Sequence, residues 1–215
     1  DIKLVGKYNL LNDGVNGVAV KSDVTFPTGT GPNVNKALDI PTGDGQYDVG
    51  AALVYDRVLV STLKWNAYGG YTAQLSQHLD RRVPISEIDT LSPDVEKVTR
   101  DLGDQTNLGT SLAYTFSPVG LTFGAGYCFQ FQNHTSFSGT NPETMARVKI
   151  LELDPVAQIQ ALHSTTLLAG FSTVEWFKAK RFPLPFQANL AYIRPFSGRN
   201  TSNNSVVAAE VVAFF

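Results

Sequence analysis

In the stretch LTFGAGYCFQFQ, residues 121–132, Leu121, Phe123, Ala125, Tyr127, Phe129 and Phe131 alternate with Thr122, Gly124, Gly126, Cys128, Gln130 and Gln132. A period of two sends successive side chains to opposite faces of a strand, so one face is apolar and aromatic and the other small and polar. LKWNAYGGYTAQL, residues 63–75, repeats the pattern: Leu63, Trp65, Ala67, Gly69, Tyr71, Ala73 and Leu75 oppose Lys64, Asn66, Tyr68, Gly70, Thr72 and Gln74. Strands usually run to about five or six residues. These are longer, and they match the roughly 9 to 11 residues with which a tilted strand crosses a bilayer. The same criterion predicts strands near 2–11, 17–26, 46–56, 63–75, 106–116, 121–132, 162–175, 184–194 and 205–215, nine in all.

The connections alternate in length. They are short at NDGVN, RVLVST and SPVG, moderate at WFKAKRFP, and long at 27–45, 76–105 and 133–161. Short turns on one side and long loops on the other predict an all-β, antiparallel transmembrane β-barrel of the bacterial outer membrane. Nine spans place Asp1 and Phe215 on opposite sides, whereas single-chain bacterial barrels normally have an even strand number. The expectation is therefore a barrel with at least one further N-terminal strand; an odd barrel, or a strand hidden in RVKILEL, competes with it.

At the C-terminus Val207, Ala209, Val211, Ala213 and Phe215 share a face and Glu210 lies on the other. A terminal aromatic with apolar residues at alternate positions resembles the signal by which outer-membrane proteins are recognised for barrel assembly. Val211, Ala213 and Phe215 are thus the expected assembly signal. Barrel-assembly machinery, outer-membrane lipid, lipopolysaccharide and other envelope proteins are the expected partners. The competing reading is the terminal core strand of a soluble sandwich, a fold whose strands seldom reach these lengths.

Composition fits this picture. Only 17% of the chain is charged, against about 25% in soluble proteins. The net charge is -2, and no Lys/Arg run suggests a nucleic-acid groove. The lone Cys128 excludes an intramolecular disulfide and a Cys-based zinc site. No run of about 18 apolar residues could cross a bilayer as a helix.

By alternation the inward face carries Lys3, Lys7, Lys21, Asp23, Asp48, Lys64, Gln130, Gln132 and Glu210, together with Asn66, Gln187 and Asn189. Such a set either fills a narrow barrel with ion pairs and amides, or lines a polar path that Lys7, Lys21 and Lys64 bias toward anions. Within the long loops, SPDVEKVTRDLG predicts a helix capped by Ser92 and stopped at Gly103, and NPETMARVKILEL a second from Asn141. These helices would form a lid or cover the barrel top. His78, His134 and His163 have serine neighbours, but a hydrolytic triad needs convergent geometry and an orienting carboxylate. No enzyme is expected. Asp44 with Asp48, and Asp101 with Asp104, do not fit a spaced calcium loop, so neither metal nor cofactor is expected.

VTFPTGTG at 24–31 and IPTGDGQYDVGAALVYDR at 40–57 resemble the Pro-Thr-Gly strand end and the Gly-Gln-aromatic-Asp strand start of the MetA-pathway of phenol degradation family. DIKLVGKYNLL and YIRPFSGRNT are similar to that family too, so the resemblance spans most of the chain. It implies an outer-membrane barrel of roughly a dozen strands, with strands before the stretch matching Asp1. It also implies a passive channel for small, hydrophobic molecules, loosely akin to fatty-acid and aromatic-hydrocarbon channels. The alternative of a different class is a non-conducting barrel that anchors or encircles a larger envelope complex. From the residues themselves, Pro27 and Pro41 are expected at strand ends and Gly29 and Gly43 at turns with positive φ.

Overall fold

The computed structural model describes residues 1–31, 33–36, 40–89, 92–139, 141–142 and 144–214. The strands are β1 Ile2–Asn12, β2 Asn16–Phe26, β3 Asp48–Val60, β4 Leu63–Gln74, β5 Gln77–Arg82, β6 Val95–Asp101, β7 Gln105–Phe116, β8 Leu121–Gln132, β9 Ser136–Gly139, β10 Gln160–Ser172, β11 Phe186–Arg199 and β12 Val206–Ala213. Two short helices, α1 Met145–Val148 and α2 Val174–Lys178, accompany them. Nine strands form one sheet in the order β1-β2-β3-β4-β7-β8-β10-β11-β12, and β5-β6-β9 form a second. All nine predicted spans are members of the large sheet, and every ladder in it is antiparallel. That sheet is open, with β1 and β12 as its two ends. Phe215, the last residue of the expected assembly signal, lies outside the described residues.

Register carries the alternation from strand to strand. Tyr8, Val20, Leu53, Gly69, Leu108, Phe129 and His163 stand opposite one another in a single row. One residue along, Lys7, Lys21, Ala52, Gly70, Asn107, Gln130 and Leu162 form the next row, on the other face. Many large apolar side chains of the first face are exposed, among them Leu53, Leu112, Phe123, Leu167 and Val211, while Trp65, Phe129 and Phe131 are half-buried. The chain exposes 13693 Å², whereas a compact monomer of 23.3 kDa exposes about 9700 Å². An open sheet fits this excess, since among the described residues much of its apolar face has no protein packed against it.

Connections segregate as expected. Residues 13–15, 61–62, 117–120 and 173–185 join strands at one end, while 27–47, 75–104, 133–159 and 200–205 join them at the other. The long segments are not plain loops, because two of them supply β5, β6 and β9. Among the described residues the buried apolar cluster sits there: Val83, Val98, Phe137 and Val148, with Leu79 and Leu151 against them. Among the described residues this cap holds the hydrophobic core.

Four expectations are corrected by the cap and its neighbouring loop. The helix predicted over 92–103 is instead strand β6, paired with β5 on one side and β9 on the other. Ser92 makes a turn rather than a helix cap, its hydroxyl accepting from Asp94 N at 3.1 Å, and β-branched Val95, Val98 and Thr99 suit the pleated neighbour-paired surface. The second predicted helix is confined to α1 and a following 3-10 segment, Lys149–Leu153. Arg147 ties α1 to the hairpin, donating to Pro84 O at 2.8 Å and pairing with Asp94 at 2.9 Å.

The two Pro-Thr-Gly segments meet. Thr30 N donates to Thr42 Oγ1 at 2.9 Å and Thr42 N to Thr30 O at 3.1 Å. Neither Gly29 nor Gly43 has positive φ. A β-carbon on Gly29 would lie 2.7 Å from Gly43 N and the Thr42 carbonyl, so close backbone approach is what requires glycine there. Pro27 directly follows β2, as expected, but Pro41 lies in the loop well before β3.

Candidate functional site

The polar face of the large sheet, the one expected to point inward, divides into separate groups. Toward the short-turn end a pocket of about 540 Å³ is lined by Lys7, Asn9, Asp56, Lys64, Asn66 and Ser111, among others. Asn66 Nδ2 donates to Asp56 Oδ1 at 2.7 Å. Neither Lys7 nor Lys64 makes an ion pair among the described residues. Two uncommitted ammonium groups beside one amide-bound carboxylate favour small anions.

Lys21 stands opposite Lys7 in the β1–β2 register, yet it does not line this pocket. Like charges directly opposite repel, so the pair adds positive potential to the inward face. Toward the long-loop end Lys3 pairs with Asp23 at 2.6 Å, and Asp48 stands opposite Thr25 and Gln74.

An amide cluster forms a second pocket of about 250 Å³, bounded by Gln105, Asn107, Gln130, Gln132, Gln160 and Thr201. Gln132 Nε2 donates to Gln74 Oε1 at 3.2 Å and to Leu102 O at 3.1 Å. Glu210, opposite Asn189 in the β11–β12 register, accepts from Asn189 Nδ2 at 3.1 Å, and Gln187 Nε2 donates on to Asn189 at 3.1 Å. Val211 and Ala213 stand opposite Ala188 and Phe186, alternating with Glu210 as expected.

All nine residues expected to line a lumen share one polar face of the open sheet, but they do not converge on one point. Asp56 was passed over because the predicted strand ended on it, although it has the same parity as Asp48. The signal was present in the alternation and was lost at the strand boundary.

Between the two pockets one side chain crosses the face. Tyr68 of β4 faces Gly109 of β7, which in turn faces Cys128 of β8. With no side chain on Gly109, the Tyr68 ring lies across it and its hydroxyl donates to Cys128 Sγ at 3.2 Å. A β-carbon at Gly109 would overlap that ring. Gly109→Ala is therefore expected to expel Tyr68 and to speed labelling of Cys128, the chain's single cysteine, by a water-soluble maleimide several-fold. An unchanged labelling rate in folded protein would show that Tyr68 does not shield the thiol.

The histidines are placed apart. His78 Nδ1 meets Thr99 Oγ1 at 2.9 Å in the cap, and His163 Nδ1 meets the Tyr127 hydroxyl at 2.7 Å on the outward face. Phe129 and Phe196 flank His163 with ring centroids 4.8 and 6.1 Å away, an aromatic surround without a carboxylate partner among the described residues. Among the described residues no three His, Cys, Asp or Glu side chains stand together as a metal site, and no helix is long and apolar enough to cross a membrane. No protein-family model and no curated protein matches the chain.

Proposed function

We propose that this chain forms the wall of a bacterial outer-membrane β-barrel that acts as a passive channel for small molecules, the inward pockets marking its polar path. The observation that carries the reading is the outward face. Nine long strands present exposed leucine, valine, tyrosine and phenylalanine on one side and lysine, amide and small residues on the other. At about 25 cal/mol per Å² of apolar surface, leaving such a face in water is expensive, and hydrocarbon is the environment that removes the cost.

In lipid every backbone donor and acceptor must also be satisfied, so the free edges of β1 and β12 have to be paired; closure of the sheet belongs to the proposal. The short-turn end is then periplasmic and the cap extracellular, beside lipopolysaccharide. The motifs that resemble the MetA-pathway family support the same reading.

Conductance of the full-length protein in planar bilayers tests it. Steady channels with an anion preference are expected, and the Lys7→Glu, Lys64→Glu double variant should shift the reversal potential toward cations. Silence, from protein shown to be folded by its heat-modifiable mobility and impermeable in liposome swelling, would overturn conduction and leave the structural barrel.

A further inference from the structure

Away from the large sheet, the cap holds two arginines that form no ion pair among the described residues. Gln77 stands opposite Arg100 and Arg81 opposite Glu96 in the β5–β6 register, so Arg81 and Arg100 share a face. Arg100 is 7% exposed. Its Nη2 donates to Asp44 O at 2.6 Å. Its Nε is buried without a hydrogen-bond partner, and so is the Nε of Arg81.

No carboxylate among the described residues lies within ion-pair distance of either guanidinium. Asp44 uses its carboxylate elsewhere, accepting from Gln46 N at 3.0 Å, and offers Arg100 only its backbone carbonyl. Glu96 is engaged by the Thr144 hydroxyl at 2.5 Å. Burial, reinforced by the charge of Arg81 and opposed by Asp44, holds the Arg100 guanidinium below its ordinary pKa. Burying a cation without an ion-pair partner is costly; Arg100 is buried in that state and the half-buried Arg81 adds a second positive charge beside it, so the pair favours a counter-ion that the described residues do not provide.

Both arginines border an open pocket of about 500 Å³ whose other walls are Pro41, Thr42, Gly43 and Asp44. We propose that this pocket binds an oxyanion, a carboxylate or phosphate group, through the guanidinium forks of Arg81 and Arg100. A fork donates two parallel N–H bonds to such a group, a geometry that ammonium cannot match. The site belongs to the cap, and its occupancy does not depend on whether the sheet conducts.

Calorimetric titration of the full-length protein in phosphatidylcholine nanodiscs tests the assignment, with sodium benzoate and inorganic phosphate as probes at an ionic strength held constant with chloride. Saturable binding is expected. Arg81→Gln, which loses no hydrogen bond among the described residues, and Arg100→Lys, which keeps the charge but not the fork, should each weaken it about tenfold or more. Nanodiscs that include lipid A separate the two natural sources. Undiminished binding of the probes marks a site for free solutes, and probe binding blocked by lipid A in wild-type protein marks a lipid-phosphate site. Absence of saturable binding of both probes, or binding unaffected by Arg81→Gln, would overturn the proposal.

Discussion

Replacing Leu167 with arginine is expected to destabilise the lipid-embedded protein by about 2–4 kcal/mol, the cost of a cationic side chain on the lipid face near the bilayer midplane. Leu167 occupies the middle of β10, is 57% exposed, and stands between Ala125 and Tyr192 on the outward face. If that face met water, the same change would fall within about 0.5 kcal/mol of neutral, as surface substitutions do. Gln130→Arg, on the inward face of the adjacent strand, serves as the control and should be close to neutral. Urea titration in phosphatidylcholine vesicles reads both variants. A neutral Leu167→Arg would remove the membrane from the proposed function, whatever the conductance measurements gave.

The second large effect belongs to the cap. Phe137→Ala should remove about 3–5 kcal/mol of local stability, the usual cost of deleting a buried aromatic side chain. Phe137 is 6% exposed and packs with Val83, Val98 and Val148. Its own strand β9 spans four residues and, among the described residues, pairs with β6 alone. Phe137 N also donates to Glu152 Oε1 at 2.7 Å, which links β9 to the 3-10 segment behind it.

With so small a core, one lost ring should open the cap as a unit while the large sheet, held by its own ladders, stays folded. Hydrogen exchange distinguishes the outcomes. Amides of β6 should lose protection in Phe137→Ala while those of β10 keep theirs. Simultaneous loss in both strands would show that cap and sheet unfold together.

The contrast between these two sites follows the division between what could and could not be read from the chain. Parity alone assigns Gln130 to the polar face, because a strand's two faces are a local property of successive residues, and the β8–β10 register sets Leu167 on the other. Phe137 lies in a loop by the same criterion. Its burial comes from β6 and α1, residues distant in sequence. The error over 92–103 has the same origin: Ser92, Pro93 and the spacing of Val95, Val98 and Leu102 are compatible with a helix, and pairing with β5 and β9 outweighs that local preference.

Gly109 is likewise legible as a small residue on an inward face, but nothing near it in sequence shows that Tyr68 lies across it. That contact exists because the β4–β7 register sets those two residues opposite one another. Arg81 and Arg100 went unread for a similar reason. Each is an ordinary charged residue in a polar loop until the hairpin places both on one face and the 41–45 segment comes up against them.

By itself, then, the amino-acid order determined the nine long strands, their two faces and the end at which each connection lies, since alternation and turn chemistry act over a few residues. Only the tertiary structure decided that the large sheet is open in this chain, that the long connections fold into a three-stranded cap with its own core, and which inward residues meet. Those outcomes depend on strand register and on contacts between segments far apart in the chain, whose energies exceed local propensity and leave no short-range pattern.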